Sequence, residues 1–95
     1  MTPRFLHIGF KWEGDSKVAE LKPIFDKAKD WYRYAPNCWI VWTTSEPQKW
    51  FERLKPHLGP NDNMFICALD ASVRGGWMPK SAWDWLAKTR DSTAE

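Results

Sequence analysis

Ninety-five residues make one domain's worth of chain, and a mixture of 43% apolar and 27% charged residues is ordinary for a globular domain and excludes disorder. Fourteen basic and twelve acidic side chains leave a net charge of +2 with no run of like charge, so charge neither demands nor excludes a polyanionic partner. The longest apolar stretch is far below a membrane span, and the start Met1-Thr2-Pro3-Arg4-Phe5 lacks a signal peptide's apolar region, so a cytoplasmic protein without membrane contact is expected.

Alternation predicts a first strand over residues 4–12, with Leu6, Ile8, Phe10 and Trp12 on one face and Phe5, His7, Gly9 and Lys11 on the other. The turn Glu13-Gly14-Asp15-Ser16 offers Asp15 or Ser16 as a cap for a helix over 16–30. Its apolar stripe is Val18, Leu21, Phe25 and Ala28. Pro23 either kinks this helix or marks the first turn of one that starts near Lys22. Residues 31–35 form a short strand, Pro36-Asn37 a turn, and the β-branched and aromatic run 38–44 the strongest strand of the chain, so 31–44 reads as a hairpin. Ser45 and Gln48 match a capping box for a helix over 46–58, carried by Trp50, Phe51, Leu54 and Leu58 and ended by Gly59-Pro60. Pro56 sits uncomfortably in its last turn.

A strand over 63–70 follows, then a glycine-bearing loop at 72–76. Pro79 suits the first position of a last helix over 79–89, with Ala82, Trp83, Trp85 and Leu86 as its apolar residues. Residues 1–90 are expected as one domain and 91–95 as a flexible tail. The order strand, helix, two strands, helix, strand, helix predicts an α/β (α+β) ferredoxin-like βαββαβ fold with an additional C-terminal helix.

Eight tryptophans are more than so small a core can enclose. Some must lie at its edge, where indoles favour interaction surfaces. Trp77, Trp83 and Trp85 cluster just past the last strand and are the candidate interface, most simply with a second copy of the chain and otherwise with another protein.

The residues that could carry chemistry are sparse. His7 and His57 have no nucleophile or carboxylate at a suggestive spacing. Cys38 and Cys67 fall on strands that flank the first strand. That puts them about 9–10 Å apart, beyond the roughly 7 Å a disulfide tolerates, so both are expected as buried free thiols. Glu13, Asp15 and Asp70 could hold a divalent cation only where strand ends bring them together. Phe5, His7, Trp39 and Trp42 on the first and third strands could stack single-stranded bases, although the 37–42 segment lacks the glycines and basic start of the RNA-recognition signature. No cofactor is expected.

Three stretches carry a family resemblance: the run 38–44, Leu54-Lys-Pro-His-Leu with Asn61-Asp62-Asn63, and above all Gly76-Trp-Met-Pro-Lys-Ser-Ala-Trp-Asp-Trp-Leu86. They resemble the SinR-like family of small bacterial and phage proteins. That family is similar in fold to the small CRISPR-associated protein of the spacer-integration complex and to virulence-associated protein D. The resemblance spans residues 4 to 88 and implies a ferredoxin-like homodimer, with nuclease activity in some relatives only. The CRISPR-associated relatives place a metal-binding aspartate at the end of the first strand, where Gly9, Phe10 and Lys11 stand here. The leading expectation is therefore a non-catalytic dimeric binding or adaptor module. A divalent-metal nuclease and a single-strand nucleic-acid binder are the alternatives.

Overall fold

The computed structural model of the chain describes residues 2–88 and 90. It is a mixed α+β structure. Four strands, β1 (Arg4–Lys11), β2 (Asp30–Ala35), β3 (Cys38–Thr43) and β4 (Asn63–Leu69), form one antiparallel sheet in the order β2-β3-β1-β4. A 3-10 turn at Val18–Glu20 and a single helical turn, α1 (Lys22–Phe25), connect β1 to β2. The helix α2 (Pro47–Leu54) continues into a 3-10 turn at Lys55–His57 and leads to β4, and α3 (Lys80–Ala87) closes the described chain. None of the described helices is long and apolar enough to cross a membrane. The proposed tail at 91–95 lies outside the described residues.

The register assigns the two faces. Directly paired residues share a face, so Leu6↔Val41, Ile8↔Trp39 and Ile8↔Ile66 put one apolar layer on the side of α1 and α2. Leu6 and Ile8 of β1, Val41 of β3, Leu21 and Phe25 before β2, and Trp50 and Leu54 of α2 are fully enclosed there. Phe25 lies flat on Trp39 at 4.4 Å between ring centroids, and Phe10 meets both rings edge-on. Trp50 turns its indole N–H to Thr43 Oγ1 at 3.3 Å, so this wholly buried ring leaves no polar atom unpaired.

Several expectations are corrected. The helix over 16–30 shrinks to a 3-10 turn and four residues. Pro23 stands in the first turn of α1, as one of its two readings had it, and β2 begins at Asp30, so only a short connection fits between. The stripe still faces the core: Leu21 and Phe25 are buried, and Val18 and Ala28 pack against the cluster. The capping box at Ser45 does not form. Pro47 occupies the first helical turn and holds Glu46 extended (ψ 158°), so Glu46 is the cap, and no side chain bonds the end. Glu46 pairs with Arg4 instead, at 2.6 Å. Pro56 resolves its own conflict: it has no N–H to give an α-helix, and the chain tightens into the 3-10 turn there.

Of the eight tryptophans, Trp39 and Trp50 are buried, Trp77 is wholly exposed, and the other five are half-buried.

Candidate functional site

The face of the sheet turned away from α1 and α2 carries Phe5, His7, Gly9 and Lys11 of β1. The register sets Trp42, Ile40 and Cys38 of β3 beside the first three, and Leu69, Cys67, Phe65 and Asn63 of β4 along the other side. Its two ends differ. Over the end that holds Phe5, Trp42 and Tyr32, α3 is laid down. Trp85 meets Phe5 at 5.7 Å and Tyr32 at 5.6 Å between centroids, Tyr32 Oη bonds Ser81 Oγ at 2.8 Å, and Lys88 Nζ donates to Asp30 at 3.0 Å.

Arg90 holds this arrangement from beneath. Its guanidinium donates to the Trp85, Leu86 and Lys88 carbonyls, the orphan acceptors of the helix end, and lies 4.4 Å from the Trp85 ring, 5.0 Å from Phe5 and 5.7 Å from Trp42. The Arg90 side chain is only 7% exposed, with Asp30 at 3.7 Å as its counter-charge. Burial lowers its pKa below the usual guanidinium value and Asp30 opposes the change. Arg90 is absent from the sequence-derived candidates, although a basic residue shortly after a helix end carries the signal of C-terminal capping.

The other end is uncovered. There His7 Nε2 and Tyr34 Oη lie 2.5 Å apart, reaching across β3. The imidazole lies down over Gly9. A Cβ at that position would sit 3.2 Å from His7 Cε1, tighter than ordinary contact, so the missing side chain gives the ring its room, whereas Cys38 Sγ at 3.9 Å would be in ordinary contact. Burial pushes the His7 pKa below its ordinary 6.5. Burial also lifts the Tyr34 phenol to about 12, with its hydrogen bond to Cys38 adding to the rise. A phenol held that high stays protonated at neutral pH and cannot serve as a base. Cys38 and Cys67 are free and half-exposed rather than buried, because α3 stops short of them.

The three candidate metal ligands are not brought together. Glu13 and Asp15 follow β1 at the sheet end where β4 starts, whereas Asp70 follows β4 at the opposite end. A seven-residue strand separates the two sites by about 23 Å. Asp70 is turned locally to Ser72, whose hydroxyl first and backbone N–H second hold its pKa down. Among the described residues no group of three His, Cys, Asp or Glu side chains could hold a metal ion. The acid that matters in the Glu13–Asp15 region is Asp62, which the sequence marks only as part of a stretch that carries the family resemblance. It accepts from the Glu13 N–H at 2.8 Å, from the Gly59 N–H at 2.7 Å and from Lys17 Nζ, and these three donors depress its pKa from 3.8 to about 2. Its side chain is 1% exposed, so Asp62 is a clasp between two loops and presents no free oxygen to a ligand.

The proposed base-stacking set is also divided. Trp39 and Trp42 are three residues apart, which in a strand places them on opposite faces. Trp39 is 3% exposed in the core, and Phe5 and Trp42 lie under Trp85 and Arg90. Of that set only His7 lies on the uncovered end, where Tyr34 and Phe65 are the exposed rings. The tryptophan cluster after β4 separates as well. Trp85 is spent on the chain's own sheet, Trp83 is half-buried near Gly76, and Trp77 is 100% exposed, close in sequence to Val73 at 90%. No family model, curated protein or solved structure matches the chain.

Proposed function

We propose that this chain is a non-catalytic binding or adaptor module that works as a homodimer, in the manner of the SinR-like proteins it resembles, on a ferredoxin-like βαββαβ fold with an added helix. The order of elements along the chain and the place of β1 between β3 and β4 support that reading of the fold; the single turn of α1 is its main departure. One observation carries the functional part. Trp77, in the same loop as Val73, offers its whole ring to solvent, whereas large apolar side chains outside that loop are at least one-third covered among the described residues. Fully exposed indoles are the typical anchors of protein interfaces, and an anchor of this kind contributes about 2 kcal/mol or more. Sedimentation equilibrium from low to high micromolar concentration should show a monomer–dimer equilibrium, weakened at least tenfold by Trp77→Ala with Trp83→Ala. A monomer at all concentrations rejects the reading.

A second reading is single-strand nucleic-acid binding at the uncovered sheet end. It is favoured by Tyr34, Phe65 and His7 on one face with Lys11 beside them. Titration with labelled single-stranded RNA at two salt concentrations decides it, because affinity through phosphates must fall with salt. The nuclease reading has no comparable support, since its acids stand at opposite ends of the sheet.

A further inference from the structure

The sheet has two edges, and only one is defended. On β2, Asp30 and Arg33 carry charge, the register with β3 slips between Arg33 and Ala35, and α3 is tied to the strand through Tyr32–Ser81 and Asp30–Lys88. These are the usual devices that stop a strand from adding a neighbour. On β4 they are missing. Asn63-Met-Phe-Ile-Cys-Ala-Leu69 has no charge and no proline, and its register with β1 runs unbroken from Lys11↔Asn63 to Phe5↔Leu69. Apolar rings also flank this edge. Phe65 is 66% exposed and Phe51 of α2 40% exposed, and with Pro47, Gln48, Met64 and Ile66 they line a hollow of about 290 Å³.

We infer that β4 pairs antiparallel with β4 of a second copy about a two-fold axis at Ile66, joining the two sheets into one of eight strands. This inference rests on the dimer reading above and names its interface. A second copy is the fitting occupant because an uncharged strand meets itself without opposing like charges, and a two-fold needs a self-complementary patch. With the axis at Ile66, Phe65 faces Cys67 of the partner subunit, and Met64 faces Ala68 of the partner subunit. The same geometry sets the loop that leaves β4, and that carries Trp77, beside the turn that enters the partner's β4. The size is modest. A single edge strand of seven residues, about 23 Å long, offers only a narrow contact strip. Stable interfaces bury about 1,200–2,000 Å². The dimer is therefore weak, forming in the micromolar range.

The test uses the full chain. In sedimentation equilibrium, Phe65→Lys and Phe51→Lys, both surface changes, should each raise the dissociation constant at least tenfold, with circular dichroism and thermal midpoint unchanged. Phe65→Cys should place a new thiol opposite the native Cys67 of the second copy, within disulfide reach, and give a covalent dimer on mild oxidation. A wild-type monomer throughout overturns both the dimer reading and this interface. A dimer that Trp77→Ala weakens, but that ignores Phe65→Lys and does not cross-link through Phe65→Cys, overturns the interface alone.

Discussion

Replacing Arg90 by alanine should release α3 from the sheet without unfolding the domain. The favourable side begins with two well-formed charge-assisted bonds, to the Trp85 and Lys88 carbonyls, at about 1.5–3 kcal/mol each. Contact with the aromatic rings adds about 0.5–2 kcal/mol. Against this stand about 2 kcal/mol for fixing a long side chain and the cost of drying a guanidinium whose Nε has no acceptor among the described residues. These terms leave about 1.5–6 kcal/mol before the drying cost, which brings the net loss to the order of 2–3 kcal/mol, or roughly 30- to 150-fold in the opening equilibrium of α3. The loss should be local because α3 meets the rest of the domain through few contacts, among them the Ser81 and Lys88 bonds, the Trp85 ring and the buried Ala82. Native-state amide exchange measures it. The amides of Trp85 and Leu86 should exchange faster by that factor while those of Leu6 and Ile8 keep their rates, and tryptophan emission should shift red as Trp42 and Trp85 meet water. Arg90→Lys keeps the charge but loses the planar fork, and should fall between the two. Unchanged exchange at Trp85 in Arg90→Ala, or an equal rise at Leu6 and Ile8, would refute the latch.

Trp50→Ala removes a wholly buried ring and its bond to Thr43; a loss of about 3–5 kcal/mol, most of a small domain's stability, should appear as a collapse of the urea midpoint. Asp62 is charged in the folded state down to about pH 2, so its contribution is complete above pH 4 and disappears as pH falls through 2; thermal midpoints measured between pH 5 and pH 2 should decline less steeply in Asp62→Asn than in the wild type. Gly9→Ala drives a methyl against the His7 ring and should break the His7–Tyr34 bond, costing about 1 kcal/mol. The His7 ring protons, which should titrate below 6.5 in the wild type, would then move back toward 6.5 by NMR; an unmoved titration refutes the contact.

Period-two patterns made the strands legible, because a half-buried strand must alternate. Leu6, Ile8 and Phe10 went to the core face and Phe5, His7 and Gly9 to the other, as read. Proline positions were legible in part: Pro23 stands in the first turn of α1, but Pro79 is the N-cap of α3 rather than its first residue, and Pro47 overruled the cap expected of Ser45. The length of the first helix was not legible. The stripe from Val18 to Ala28 recorded which residues are buried, and a 3-10 turn followed by one helical turn buries the same residues as a long helix would. The candidate site was legible only in its residue types. Asp62 and Arg90 act through backbone groups, and their reach is set by the fold: Asp62 spans 49 residues to Glu13, and Arg90 meets rings on β1 and β3. A charged residue in a sequence reads by default as solvated, and these two are enclosed.

The position of α3 links these observations. Docked by Arg90, one short helix hides Phe5, Trp42 and Tyr32 and also guards the β2 edge through Ser81 and Lys88. It cannot do the same for β4, which lies across the sheet beyond β3 and β1. One helix of eight residues, about 12 Å long, cannot shield both edges of a four-stranded sheet about 14 Å wide while lying along one end of it. The unshielded part is therefore continuous: the His7–Tyr34 end of the face, Phe65, and the bare β4 edge adjoin one another. Tyr34 and Phe65 contribute to one continuous exposed surface, as a partner-binding surface requires. The chain's single-stranded binding reading and its dimer reading thus compete for neighbouring ground. If the β4 edges pair, the two uncovered faces become one surface running across the two-fold axis, and any extended ligand would meet His7 and Tyr34 twice, once in each chain.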